Sequence, residues 1–181
     1  MTTTQPAKFQ DLKSFKLPAN FRGRPAWYVQ SWWIIQSTLF GCSPQMFYAW
    51  RRWLLRRFGA KIGEGVIIRP TARLTFPWKV TIGDHAWIGI HVAIVGNLSI
   101  GRGAVIGANA VVTRSIPDYC IAAGQPARVV RAYDDRPQAW GKIGSDDHLA
   151  EVLANWRTQP ISFRTIVPPV PIYNGPTVTI Q

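Results

Sequence analysis

Three histidines, His85, His91 and His148, are the side chains of this chain that can exchange a proton near neutral pH. His85 stands at a variable position of the stretch IGDHAW, and His91 follows six residues later in WIGIHVAI. Side chains at such variable positions point outward, which makes His85 a candidate general base. As metal ligands the pair would need a third partner, and no other histidine lies between residues 62 and 117, so no metal is expected. Cys42 and Cys120 stand far apart without metal-ligand spacing, which reads as a reducing, cytoplasmic setting.

What must position these groups is a repeat. From Ile62 to Pro117 a six-residue unit recurs about nine times: an aliphatic residue, often Gly, two variable residues, a small or aliphatic residue and one more. First positions are Ile62, Ile68 and Leu74, then, after a two-residue insertion, Ile82, Ile88, Ile94, Ile100, Ile106 and Val112. Four places into each unit stand Val66, Ala72, Trp78, Ala86, Val92, Leu98, Ala104, Ala110 and Ile116. A period of six matches neither an amphipathic helix nor a long alternating strand. It suits a short flat strand plus a corner, three units closing a triangle, stacked as a parallel β-helix of about three coils. Such a fold is mainly β.

Before the repeat lie two expected helices. Residues 27–40 are aromatic on most faces, with Pro25 suited to a first turn; Ser43 and Pro44 suit the start of a second helix that stops at Gly59. Phe47, Trp50, Leu54 and Phe58 form its apolar stripe, with Arg51, Arg52, Arg56 and Arg57 around it. The pair is expected to cap the open end of the β-helix, and its basic, Trp-rich faces also suit peripheral contact with an anionic membrane. The apolar run over residues 26–40 is too short to span a bilayer, and no signal peptide is read at the N-terminus.

The units IGEGVI, IGDHAW, IGRGAV and IGANAV, ending in VVTRSIPDYCIAAGQPARVVR, resemble the hexapeptide-repeat acyltransferases, whose fold is a left-handed parallel β-helix. The upstream stretches FRGRPAWYVQSWWIIQSTLF and SPQMFYAWRRWLLRRFGAKIGEGVIIRP are similar to the exopolysaccharide subgroup named for colanic acid biosynthesis. The resemblance runs over residues from about 10 to 131. It implies a trimeric, acetyl-CoA-dependent O-acetyltransferase acting on a sugar or lipid-linked oligosaccharide in bacterial exopolysaccharide biosynthesis.

The same resemblance exposes a departure. Relatives commonly use a histidine about two dozen residues before the unit equivalent to IGDHAW; here that place falls near Gly63, and no histidine precedes His85. The central coils and loop that carry it in the subgroup have no counterpart. Either His85 supplies the base, or the chain is a catalytically degenerate scaffold or subunit of a polysaccharide assembly. Carried over position by position, the family's contacts to acetyl-CoA fall on Ala108, Thr113 and Arg114, and on Arg128 and Arg131. Ile90 stands where relatives often have Ser or Gly. Three arginines suit phosphate oxygens through forked donors.

A net charge of +12 fits a phosphate-rich cofactor or an anionic membrane surface. No nucleic-acid-binding motif accompanies it, so nucleic acid is not an expected partner. The reading divides the chain into an arm (1–24), a helical cap (25–59), the β-helix domain (60–131) and an irregular C-terminal extension (132–181). The extension holds a candidate helix over residues 146–156, capped by Ser145, and then a Pro-rich stretch.

Overall fold

The computed structural model describes residues 9–10, 21–134, 139–142, 154, 158 and 172–173. The Pro-rich stretch, His148, Ser145 and most of the candidate tail helix lie outside the described residues; of that helix only Ala154 is described, and it is helical. A two-residue strand β1 (Phe9–Gln10) comes first in chain order.

The repeat folds into three stacked coils. The first contributes β2 (Lys61–Ile62), β3 (Ile67–Ile68) and β4 (Arg73–Leu74). The second contributes β5 (Val80–Ile82), β6 (Trp87–Ile88) and β7 (Ala93–Ile94). The third contributes β8 (Leu98–Ile100), β9 (Val105–Ile106) and β10 (Val111–Val112). Strands pair in parallel along three faces, β2-β5-β8, β3-β6-β9 and β4-β7-β10, so each face carries one strand per coil. The second face continues through parallel β11 (Cys120–Ala123) into antiparallel β12 (Arg128–Asp134) and β13 (Ala139–Lys142). Finally β14 (Ile172–Tyr173) pairs antiparallel with β1.

Burial explains the six-residue code. The column Ile68, Ile88 and Ile106 is wholly buried, as is the small-residue column Ala86 and Ala104. Each buried aliphatic side chain contributes roughly 1.5–3 kcal/mol, which no single coil could collect by itself. The fourth residue of a unit turns the corner in left-handed backbone, as at Gly65, His85, His91, Gly103 and Asn109.

Register departs from a uniform lattice in two places. Thr81 follows its partner Lys61 by 20 residues, Ser99 follows Thr81 by 18, and Ile116 follows Ile100 by 16. The extra pair in the first coil is taken up by a 3-10 turn at Pro77–Lys79. Val80, in register with Leu98, therefore occupies the inward place that the sequence assigned to Trp78. After β10 the chain is two residues short, so Ile116 stacks on Ile100 in the first-position column and not in the column of Ala86 and Ala104.

Two helices cover the first coil. Helix α1 (Ala26–Ile35) runs into a wider turn over Gln36–Phe40, and α2 spans Tyr48–Arg57. The second helix thus starts later than Ser43, whose hydroxyl donates to the Phe40 carbonyl at 2.6 Å and accepts from Arg51 at 2.8 Å. Its buried face also differs from the expected stripe: Arg51, Leu54 and Leu55 point inward, while Phe47 and Trp50 are exposed. The reason is the unpaired backbone of the first coil. Arg51 donates to the Ile68 carbonyl at 2.7 Å, Arg52 to Val66 at 3.0 Å, Arg56 to Ile62 at 2.8 Å, and the Trp32 indole to Leu74 at 2.8 Å. In return the Leu74 amide donates to the Gln36 side chain at 2.7 Å. No helix among the described residues is long and apolar enough to cross a membrane.

Arg51 is fully buried, and its guanidinium also donates to the carbonyls of Pro44 and Gln45. Burial, opposed by Tyr48 and reinforced by Arg69, draws it below the usual arginine value. Arg51→Ala is expected to strand several buried acceptors and destabilise the fold by roughly 3 kcal/mol in urea unfolding; Arg51→Lys recovers only part of this. Cys120 gives a pH signature. Burial, aided by the Asp118 carboxylate, pushes its thiol up from 9.0 to about 11. The folded state keeps a proton that the unfolded chain releases, so this contribution is complete below pH 9.0 and is lost as pH rises towards 11. At pH 8 in native conditions the exposed Cys42 should react with a disulfide reagent and the buried Cys120 should not.

Candidate functional site

Each corner of the triangular prism carries a different set of the residues singled out by sequence. The corner between the first and second faces holds His85. Its backbone is left-handed, with φ of 57°, and its amide donates to the Glu64 carbonyl at 2.8 Å. The imidazole is exposed and lies against Gly65 of the coil below, where an added Cβ would collide with Nδ1. Beside it the Asp84 carboxylate accepts from the Glu64 amide at 2.8 Å, and one coil further the Asp118 carboxylate accepts from the Arg102 amide at 2.8 Å.

This corner borders a groove of about 970 Å³ along the first face. Its floor is a column of hydroxyls, Thr81, Ser99 and Ser115, and its margin includes Asp84, Arg102 and Asp118. Ser115 fixes the column by accepting from the Ser99 amide at 3.0 Å. Convergent hydroxyl, carboxylate and guanidinium groups in an open groove are suited to a polar ligand rich in hydroxyls.

The corner between the second and third faces holds Ala108. Ile90, His91, Ala108 and Asn109 stack there, with the Asn109 amide donating to the Ile90 carbonyl at 2.9 Å. His91 is an exposed left-handed corner residue whose amide donates to the Thr71 hydroxyl at 3.0 Å. It lines a small pocket of about 270 Å³ with Gln36, Cys42, Thr71 and Arg73. The Gly124–Gln125–Pro126 turn, containing a cis peptide before Pro126, folds over the same corner. Gly124 adopts φ of 95°, its carbonyl accepts from Val111 at 3.0 Å, and the Gln125 amide group donates to the Asn109 carbonyl at 2.7 Å. Arg128 follows, in register with Ala123, and Arg131 lies opposite Ile121.

Thr113 and Arg114 occupy the remaining corner, between the third and first faces, half-buried and adjacent to Ser115 of the groove. The five donor-side candidates therefore gather on the last coil and the strand that closes it, but over two corners, while His85 stands at the third. Ala108, Arg128 and Arg131 are exposed, so they form a ridge open to solvent. Ile90 is 45% exposed at the same corner as Ala108. Sequence reasoning found the turn at Gln125 but missed the bond of its side chain to Asn109, and missed Thr71 and the hydroxyl column. The signal was available for the last of these, since Thr81 and Ser99 each precede a first-position isoleucine. Among the described residues no group of three His, Cys, Asp or Glu stands close enough to hold a metal ion.

Residues 79–114 match the family model described as bacterial transferase hexapeptide (six repeats). Over that stretch the chain is similar to the bacterial hexapeptide transferases. The chain is 50% identical over 99 residues to "Putative colanic acid biosynthesis acetyltransferase WcaF" of Escherichia coli (strain K12), covering 54% of this chain and 54% of that protein. It is 37% identical over 91 residues to the galactoside O-acetyltransferase of the same organism, covering 41% of this chain and 45% of the relative. The chain thus spans about half the length of these relatives. Among solved structures, a galactoside acetyltransferase in complex with coenzyme A is similar at 20% identity, with a TM-score of 0.38, over 74% of this chain and 90% of that one.

If the ring of His85 and Gly65 share one space at this corner, Gly65→Val is expected to displace the imidazole and to destabilise the first coil by about 1–3 kcal/mol, through overpacking and a strained left-handed Val. Thermal unfolding measures the loss, and the imidazole proton shifts of His85 should move while those of His91 do not.

Proposed function

We propose that this chain transfers an acetyl group from acetyl-CoA to a hydroxyl of a sugar used in exopolysaccharide biosynthesis. One observation carries the reading: the last coil and its closing strand carry exposed Ala108, Arg128 and Arg131, with half-buried Thr113 and Arg114 at the neighbouring corner, in a chain half-identical over 99 residues to a relative named as a colanic acid biosynthesis acetyltransferase. In this reading the pantetheine arm passes over Ala108, where a larger side chain would stand in its path. The three arginines face the cofactor's phosphates through forked, charge-assisted donors. The polar groove on the first face receives the sugar.

The acceptor oxygen attacks the thioester carbonyl while its proton passes to a histidine. The tetrahedral intermediate then collapses, and the proton is returned to the departing thiolate of CoA. His85 follows Asp84, which lines the groove, and is the proposed base. It stands on a different corner from Ala108, so the donor ridge facing it belongs to another copy, as a homotrimer supplies. His91 shares its corner with Ala108 and is the competing candidate within one chain.

A degenerate scaffold is the second reading, supported by the shortness of the repeat: residues 62–117 contain only His85 and His91 as proton acceptors of this kind. The readings separate on thiol release from acetyl-CoA in the presence of simple sugars or lipid-linked oligosaccharide. Sugar-dependent release that is lost in His85→Ala and kept in His91→Ala supports the first with His85 as base. Arg128→Ala and Arg131→Ala should each raise the KM for acetyl-CoA about tenfold with little change in kcat, since each removes a charged hydrogen bond made alike in ground and transition states. Binding of CoA without turnover on any acceptor favours the scaffold.

A further inference from the structure

The helices that cap the first coil turn an unusual face to solvent. While Arg51, Leu54 and Leu55 of α2 point at the β-helix, Trp27 is 70% exposed, Ile34 64%, Met46 76% and Trp53 54%. Of these, Trp27 and Trp53 line a hollow. One hollow of about 600 Å³ is lined by Leu39, Cys42, Pro44, Phe47 and Trp50, and a second of about 550 Å³ by Trp27, Tyr28, Leu39, Trp50 and Trp53. Leu39 and Trp50 belong to both, so the two hollows form one apolar trough between the helices. The Trp50 and Trp53 rings stack at 5.0 Å, and the Trp50 indole donates to the Leu39 carbonyl at 3.2 Å, holding the trough open as a shaped surface. A contiguous apolar patch of this kind marks a binding face.

Charge says what it binds. Between Phe21 and Gly63 the sequence has six arginines and one lysine and no Asp or Glu. Arg51, Arg52 and Arg56 are engaged with first-coil carbonyls. Arg57 instead lines the trough, and Arg24 lies 5.4 Å from the ring of Tyr28 on its wall. Glu64, the next acid along the chain, is 2.7 Å from Arg56 and lines neither hollow. The trough is therefore apolar at its centre, cationic at its rim and without a carboxylate.

We propose that this face docks on an anionic phospholipid bilayer, with Trp27, Trp50 and Trp53 at the level of the headgroups and Arg24 and Arg57 against lipid phosphates. Indole rings, apolar in body and polar at one edge, suit that depth. Basic residues beside a shallow apolar face give attraction to anionic lipid in addition to burial. A second copy of the chain fits less well, because a symmetric contact would set Arg24 and Arg57 against an equally basic, acid-free surface. The inference stands apart from the acyl-transfer reading and holds for either the enzyme or the scaffold.

Flotation of the full chain with vesicles tests it, using phosphatidylglycerol mixed with phosphatidylcholine against phosphatidylcholine alone. Binding should favour the anionic vesicles, weaken with added salt, and quench tryptophan fluorescence when the lipid chains are brominated. Arg24→Ser and Arg57→Ser should each reduce the bound fraction about fivefold under subsaturating conditions. Trp53→Glu should abolish binding while leaving the thermal melt unchanged, since the side chain is exposed. No flotation with either vesicle, or equal flotation with both, overturns the proposal. So does a concentration-dependent association of the chain with itself that Trp53→Glu removes.

Discussion

The structure depends on how the open edge of the first coil is closed. A parallel β-helix pairs every coil with its neighbours except at the ends, where a full turn of backbone carbonyls and amides has no partner. Here two helices meet that edge with side chains: Arg51 on Ile68, Arg52 on Val66, Arg56 on Ile62 and Trp32 on Leu74. Buried polar backbone left without a partner costs about 1–3 kcal/mol per group, so the edge could not be covered by apolar packing alone. Arginine suits the task because one planar group can reach several carbonyls, as Arg51 does with Ile68, Pro44 and Gln45. Committing three arginines of α2 and Trp32 of α1 to the β-helix also sets which side of each helix faces outward, and so presents Trp27, Trp50 and Trp53 to solvent.

At the other end the closure is made by the chain itself. The turn at Gly124–Gln125–Pro126 lies over Asn109 and Val111, and β12 continues the second face in the antiparallel sense. Between these two ends, the prism distributes polar chemistry to its corners, because the inward columns admit only aliphatic and small side chains. Corner residues are held by backbone bonds to the coil above or below. Their spacing is therefore fixed in steps of one coil. That rigidity is what lets a ridge of small and basic residues be laid out in advance of any ligand, and it also keeps His85 and Ala108 on separate corners of one chain.

Much of this was legible because the β-helix writes its packing into the sequence with a short period. The isoleucines at 82, 88, 94, 100 and 106 could be assigned inward without a structure, and all are buried. The period failed where the coil length changed: Trp78 yielded its place to Val80 after the insertion, and Ile116 moved columns after the two-residue shortening. Arg51 was misread for a different reason. Helical periodicity ranks arginine with the solvent-facing residues, and nothing local to α2 reveals that the surface it meets is a row of unsatisfied carbonyls. The relation among His85, the hydroxyl groove and the donor ridge was equally hidden, since it depends on which corner each unit occupies after both irregularities have been counted.

A site assembled from different corners of neighbouring copies makes one demand that a site within one chain does not. Co-expressing His85→Ala with Arg128→Ala subunits, purifying the mixed assembly and measuring sugar-dependent thiol release from acetyl-CoA tests it directly. The account predicts that, at acetyl-CoA far below KM, mixed assemblies are more active per subunit than either parent, because some interfaces pair an intact His85 with an intact Arg128. Mixed assemblies no more active than the Arg128→Ala parent, or a chain that remains monomeric while turning over acetyl-CoA, would contradict it.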